Sequence, residues 1–470
     1  MAPNIDPEVG CIIPSPGDWP VDPQEDVEIA DDRCWIDGCF DFFHHGHAGV
    51  MLQSRRLGSE LLVGLHSDED IAANKGPTVM NLAERVAAVD ACRFSTKVVP
   101  HAPYVTSLPW ISHYGCRYVT HGDDVTSDAS GEDCYRFVKK AGRMKIVPRT
   151  PGISTTDLVG RMLGCTKDHF VKSLTDCLEG KEGLQGGRGE EGWRREGESM
   201  RRRMREYAAA ANGRDEYVPV YAYGTGTGKV NGNKTSHTEA GTFQSLVSGH
   251  GPRPGQRIIY IPGAFDLFSS GHIAFLQTVS GLEEQRGRDN GWYTEEAKQQ
   301  RLQSHGQDYG PMYVIVGLYD DEVVNHHKGI NYPIMNIYER GLCVIQCRFV
   351  HAVVFSAAYT FTATYLTSLP ACDSGKLPDA VYHGPNPPTS SLASNSDPFA
   401  EVRNQGIYVE TPSHKFQDVN AAQIVSRILA KRDEYEERQR RKGAKGVGEG
   451  ALRRAEMEKE AEGLREKISR

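Results

Sequence analysis

The chain has 470 residues, enough for two or three domains with separate cores. A net charge of −8 argues against a protein that coats nucleic acid, so no nucleic-acid partner is expected. Eleven cysteines with no repeated framework suit a reducing compartment better than a secreted disulfide scaffold.

Residues 1–32 are acidic and proline-rich and read as a disordered start, unlike a signal or transit peptide. No apolar run reaches the roughly 18 residues a membrane span needs, so no transmembrane segment is expected. The expected location is the cytoplasm.

Residues 33–165 alternate apolar runs with helical stretches. Cys34-Trp-Ile36 ends a strand, and Leu61–Leu65, Lys97–Val99, Arg117–His121 and Lys145–Val147 read as four more. Ala48–Leu57 and Leu82–Phe94 read as helices. Such alternation predicts an α/β fold, a doubly wound parallel sheet with ligands beyond the carboxyl ends of its strands. His44, His66 and His121 each follow a predicted strand.

The densest chemistry is Ile36-Asp-Gly-Cys-Phe-Asp-Phe-Phe-His-His-Gly-His47. It sets His44 and His47 where a strand turns into a helix. A helix start offers unpaired N–H groups and the positive end of a dipole, which favour a phosphate. Gly46 lets backbone approach such a ligand. Four histidines could also hold zinc, but no Cys or acid stands at a familiar spacing and no metal site is expected. Lys75, in a loop after the second strand, can reach a phosphate as a point charge. His121-Gly-Asp-Asp124 could read a base or ribose, or simply turn the chain. In Arg149-Thr-Pro-Gly-Ile-Ser-Thr-Thr-Asp157, Ser154 or Thr155 is a credible helix cap. That second helix start could equally hold a triphosphate, with Arg149 adding a charge-assisted bond.

Residues 166–255 change to Gly, Arg, Glu and Ser and read as a flexible linker with a short charged helix near 194–211. Gly224-Thr-Gly-Thr-Gly-Lys229 fails as a P-loop because Tyr223 and Val230 stand at required positions. From 256 to 430 the first pattern returns. Ile261–His272 repeats Ile36–His47, Lys328-Gly329 repeats Lys75-Gly76, and Met335–Arg340 repeats Met80–Arg85. This is a domain-sized duplication interrupted near 283–310 by a polar segment, expected as a surface loop. The second copy is degenerate. Ser269 stands for His44 although His272 remains, Ala264 and Phe265 follow the glycine, and Asn420-Ala-Ala-Gln423 replaces Ser154–Asp157. Cys343 and Cys347 read as apolar residues on a helix. Residues 431–470 read as a charged helix or tail.

His44-His-Gly-His47 resembles the signature of the HxGH nucleotidyltransferases. Gly38-Cys-Phe-Asp41, Asn74-Lys-Gly76, His121-Gly-Asp-Asp124 and the Arg149–Asp157 run are similar to the cytidylyltransferases that make phospholipid precursors. Two tandem copies resemble the phosphoethanolamine-using branch of that family. The resemblance implies two Rossmann-like nucleotidyltransferase domains joined by a flexible linker. It implies CTP and phosphoethanolamine as partners, CDP-ethanolamine and pyrophosphate as products, Mg²⁺ riding on CTP, a possible homodimer, and peripheral association with the endoplasmic reticulum. Catalysis falls to His44, His47 and Lys75. CTP binding falls to Gly38, Cys39, Phe40, Gly46, His121, Gly122, Asp124, Arg149, Ser154 and Thr155. Asp41 either meets the substrate ammonium or shapes the site. Ala264, Phe265, Ser269, His272 and Lys328 mark the degenerate site. Phosphocholine or glycerol phosphate as acceptor, or a non-enzymatic nucleotide-binding scaffold, are the competing readings.

Overall fold

A computed structural model describes residues 15, 19, 21–123, 126–184, 189–224, 241–372, 375–385, 397–437 and 440. The candidate P-loop beyond Gly224, and Asp124, lie outside the described residues.

The first copy runs β1 (Ala30–Gly38), α1 (His45–Arg55), β2 (Glu60–Leu65), α2 (Asp68–Lys75), α3 (Leu82–Asp90), β3 (Lys97–Pro100), α4 (Leu108–His113), β4 (Cys116–Gly122), α5 (Arg136–Lys140), β5 (Met144–Val147) and α6 (Thr155–Gly164). Its five strands form a wholly parallel sheet in the order β3-β2-β1-β4-β5. The order reverses at β1, so the crevice beyond β1 and β4 is the expected ligand site.

Between the copies come α7 (Leu174–Glu179), α8 (Gly189–Tyr207), β6 (Val220–Gly224) and β7 (Thr242–Val247). The second copy follows with β8 (Arg257–Gly263), α9 (Ser270–Asp289), α10 (Glu295–His305), β9 (Met312–Leu318), α11 (Asp321–Lys328), α12 (Ile337–Ile345), β10 (Ala352–Phe355), α13 (Ala363–Thr367), β11 (Ala380–His383), α14 (Ala400–Asn404), β12 (Tyr408–Glu410) and α15 (Ala421–Ala430). Its sheet has seven strands in the order β12-β11-β8-β9-β10-β6-β7. Every residue of β9 is buried, which is why it reads as an unbroken apolar run.

Several expectations need correction. The segment 166–255 is no simple linker: β6 pairs parallel to β10, and β7 pairs antiparallel to β6. Val220 and Ala222 are buried there, and Met200, Met204 and Tyr207 of α8 join the core. The composition misleads because only one stripe of α8 is apolar. The insertion near 283–310 is no loop but the end of α9 and all of α10, whose Arg301 lies over the Trp292 ring and pairs with Asp308 at 2.6 Å. The start of the chain is partly tied down, since Trp19 is buried and stacks on His113 at 3.6 Å. Of the charged tail, Tyr435 is buried and donates to Thr78 O at 3.2 Å. Cys343 and Cys347 are buried free thiols, and burial pushes the latter up to about 11. Among the described residues no helix is long and apolar enough to cross a membrane.

The two copies meet reciprocally, as the halves of an isologous dimer do. α1 packs on α12 and α3 on α9. Asn81 and Glu84 box the start of α3, and Asn336 and Glu339 box the start of α12. Each glutamate then takes a bidentate arginine from the other copy: Arg427 of α15 reaches Glu84 at 2.8 and 2.8 Å, and Arg161 of α6 reaches Glu339 at 2.7 and 2.9 Å. Arg93 buries its guanidinium against the carbonyls of Ile345, Cys347 and Val350 at 3.0, 2.7 and 2.8 Å. Arg348 returns the contact to the carbonyls of Cys92 and Ser95. Removing Arg93 leaves those carbonyls buried without that donor, at ~1–3 kcal/mol each. Arg93→Met is expected to lower stability by more than about 3 kcal/mol in urea denaturation, with a matching fall in melting temperature.

Candidate active site

The site lies where β1 hands over to α1. The turn between them is strained: Phe40 and Phe42 have φ of 53° and 48°, in the left-handed region that bulky residues avoid. Phe265 and Leu267 repeat the strain at 49° and 47°, so the sheet, not a local preference, imposes it. Asp41 holds the turn in place. It is buried, and its two carboxylate oxygens accept the N–H groups of Val79 and Met80, each at 3.0 Å. Asp266 does the same with Ile334 and Met335 at 2.8 and 3.0 Å. Of the two roles offered for Asp41, these bonds support shaping the site.

His44 is the N-cap of α1. Its Nδ1 accepts from Gly46 N at 3.1 Å, and His47 Nδ1 accepts from His44 N at 3.4 Å. The two rings stack 4.0 Å apart. A nitrogen that accepts a backbone N–H carries no proton, so both neutral rings bear their hydrogen on Nε2. The cap thus makes two parallel N–H donors at the positive end of a helix. Gly46 serves this geometry more directly than a ligand, because a Cβ there would meet the His44 ring at 2.8 Å.

His66 is set the other way. It is buried, and its Nδ1 donates to Ala102 O at 3.1 Å. His121 likewise donates from Nδ1 to Gly122 O at 2.9 Å and packs on Tyr135 at 4.6 Å. Lys75 ends α2, exposed, with its ammonium 5.7 Å from the Tyr104 ring. Ser154, not Thr155, caps α6, accepting from Asp157 N at 3.1 Å. Thr155 Oγ1 donates to Asp41 O at 3.3 Å, which ties the second helix start to the strained turn. Arg149 is exposed, and its backbone N–H donates to Asp123. Gly38 and Cys39 enter the turn, and the Cys39 carbonyl accepts from Arg85 at 2.7 Å. Gly122 ends β4. Among the described residues no group of three or more His, Cys, Asp or Glu could hold a metal ion.

Sequence reasoning passed over one residue. Asp37 at the end of β1 is buried and accepts from Trp35 Nε1 at 2.8 Å, Thr106 Oγ1 at 2.7 Å and Tyr135 OH at 2.7 Å. All three donors are neutral, so the negative charge has no cationic partner among these bonds. Its signal was an acid directly after the apolar run Cys34-Trp-Ile36.

In the second copy Ser269 Oγ donates to Val419 O at 2.9 Å, and His272 Nδ1 again accepts from the cap N–H, at 3.2 Å. Only one of the two N–H donors survives.

A strained β–α turn that presents paired imidazole N–H donors beyond a parallel sheet defines a nucleotidyltransferase of the HxGH class. Residues 35–161 match the family described as Cytidylyltransferase-like. The chain is 36% identical over 424 residues to ethanolamine-phosphate cytidylyltransferase of Mus musculus, covering 88% of this chain and 89% of that one. It is 35% identical over 415 residues to the enzyme of that name from Dictyostelium discoideum, covering 88% and 95%. Choline-phosphate cytidylyltransferase A of Rattus norvegicus matches 39% over 150 residues, covering 32% and 40%. The chain belongs to the ethanolamine-phosphate cytidylyltransferase family.

One neighbour of the pair titrates with the fold. His45, the first residue of α1, is buried against Tyr207, and burial, then Arg203, lowers its pKa to about 3. The folded value lies below the ordinary 6.5, so its contribution is complete above pH 6.5 and is lost as pH falls toward 3. Urea midpoints are expected to fall between pH 6.5 and 4. His45→Leu should make that slope shallower by about 1.4 kcal/mol per pH unit at most.

Proposed function

We propose that the first copy transfers the cytidylyl group of CTP to phosphoethanolamine, giving CDP-ethanolamine and pyrophosphate. The observation that carries this reading is the tautomer of the histidine pair: His44 and His47 each offer an Nε2–H at the start of α1. A phosphomonoester has its second pKa near 6, so its oxygen is already largely ionised at neutral pH and needs no enzyme nucleophile. That oxygen attacks the α-phosphorus of CTP while the bond to the bridging oxygen of pyrophosphate breaks. The chain supplies in-line alignment and fixed donors for the charge that moves.

His44 and His47 steady the α-phosphate and the departing pyrophosphate. Lys75 adds a point charge from the end of α2. The start of α6, capped by Ser154 and tied down by Thr155, holds the nucleotide with Arg149 and the backbone of Gly38, Cys39 and Phe40. His121 and Gly122 border the base or ribose. Asp37 takes the ammonium end of phosphoethanolamine, as a buried carboxylate bonded only to neutral donors among aromatic rings suits a cation. This favours an aminoalkyl phosphate over glycerol phosphate. Mg²⁺ fits as a companion of the nucleotide, because a hard ion that keeps phosphate and water oxygens needs no protein cage. When bound it neutralises the polyphosphate. The second copy covers α1 and α3 of the first, so a homodimer would use another surface. Peripheral association with the endoplasmic reticulum goes with a product destined for lipid.

The test is pyrophosphate release with CTP and Mg²⁺, comparing phosphoethanolamine with phosphocholine. Turnover with phosphoethanolamine is expected, and His44→Ala or His47→Ala should each cut kcat by about 10²–10³. No release from folded protein with any acceptor would overturn the reading in favour of a nucleotide-binding scaffold. Asp37→Asn should raise KM for phosphoethanolamine at least tenfold while KM for CTP changes little; equal changes in both would remove Asp37 from the ammonium site.

A further inference from the structure

Helix α8, in the stretch between the copies, runs from the second copy to the active site of the first. Within it, Met200 O accepts from Tyr338 OH of α12 at 3.1 Å. Its last residue, Tyr207, is buried beside the start of α1. The Tyr207 hydroxyl donates to His45 O, the carbonyl directly after His44. Burial raises the pKa of this phenol, so the O–H stays in place to donate.

The same oxygen meets a second motif. The Thr150 hydroxyl bonds it, and Thr150 begins the approach to Ser154, the cap of α6. One turn earlier on α8, Arg203 Nη1 donates to Pro151 O at 3.3 Å. The end of α8 therefore holds both helix starts that face the phosphates. Gly49, one turn into α1, leaves room for this contact. A Cβ there would run into both Thr150 Oγ1 and the Tyr207 hydroxyl.

The second copy joins its two helix starts differently. Ser269, at the place of His44, donates from Oγ to Val419 O at 2.9 Å. Val419 directly precedes Asn420, the cap of α15, as Ile153 directly precedes Ser154. A serine can tie the two starts directly. His44 cannot do so and also serve the reaction, because its Nδ1 accepts from Gly46 N and its Nε2–H points to substrate. In the first copy Thr155 ties α6 to the turn at Asp41, and Tyr207 ties the loop before α6 to α1 itself.

We propose that Tyr207 is a positioning residue for cytidylyl transfer. Through His45 O and Thr150 it sets the spacing between the imidazole donors of α1 and the start of α6 that holds the nucleotide. This rests on the function proposed for the first copy. In-line transfer is sensitive to such spacing, since a misplacement of about 1 Å can cost on the order of 10²-fold in rate. The segment between the copies thereby supplies a part of the active site, and the second copy holds that part in place through α12.

The experiment measures kcat, both KM values and the melting temperature of the full chain. The variants are Tyr207→Phe, Thr150→Val and the two together. Tyr338→Phe is the control, because it removes another buried hydroxyl that bonds α8. Tyr207→Phe is expected to lower kcat by about tenfold and to raise KM for CTP, with KM for phosphoethanolamine within about twofold. Thr150→Val should act in the same direction, and the double variant should be no worse than the worse single one. Tyr338→Phe should lower the melting temperature and keep kcat within about twofold. An unchanged kcat in folded Tyr207→Phe overturns the proposal. So does a kcat that falls equally in both tyrosine variants, because the role would then be structural alone. A double variant that multiplies the two single losses also overturns it. If Tyr207→Phe does not fold, Thr150→Val decides, and full kcat in that variant overturns the proposal. No turnover by the unaltered chain with any acceptor would instead overturn the proposed function, and this proposal with it.

Discussion

Everything at the active site hangs on a buried guanidinium. Arg85 is almost wholly enclosed, yet each of its contacts ties a different part of the site: Met80 O at 3.2 Å, Cys39 O at 2.7 Å, His66 O at 2.9 Å and Asp68 at 2.7 Å. One side chain thereby fixes the turn after β1, the end of β2 and the start of α2 relative to α3. Arg340 repeats the set on Met335, Ala264, Tyr319 and Asp321. A planar cation with five donors reaches four acceptors spread around its plane, more than the three N–H groups of a lysine can serve. With that scaffold set, a turn holding two residues at positive φ becomes tolerable, and the imidazoles can be held where a mobile loop would blur them.

The same economy joins the copies. Glu84 and Glu339 cap helices and also take arginines from the opposite copy, so helix formation and docking depend on the same carboxylates. The apolar core is continuous across the junction, from Met51 and Val89 through Met204 to Leu342. A small void of about 20 Å³ remains there, bordered by Phe42, Phe43, Leu267 and Phe268, too tight for a ligand. The intervening segment adds two strands to the second sheet, which explains why that sheet is wider than the first.

Comparison of the copies separates scaffold from chemistry. The arginine, the aspartate of the turn, the capping boxes and the strained backbone recur nearly unchanged. The first histidine of the pair and the Asp37 cluster do not. Divergence replaced the Asp37 cluster as a set, with Pro262 for Asp37 and Tyr260 for Trp35, and it spared the groups that satisfy buried backbone carbonyls and N–H groups.

The sequence by itself determined the duplicated parallel sheets, the histidine pair at a strand–helix junction, a second helix start at Ser154 or Thr155 and the degeneracy of the second copy. Those are local matters of periodicity, capping and motif, written within a few residues. Only the tertiary structure decided that Asp41 positions the turn, since its partners lie at 79 and 80, and that Asp37 gathers donors from 35, 106 and 135. It also decided that Val220–Gly224 and Thr242–Val247 are strands. Val220–Ala222 join the second sheet through β10, more than a hundred residues further on. Long-range partners leave no periodic trace in the chain, because what selects them is burial in the finished fold.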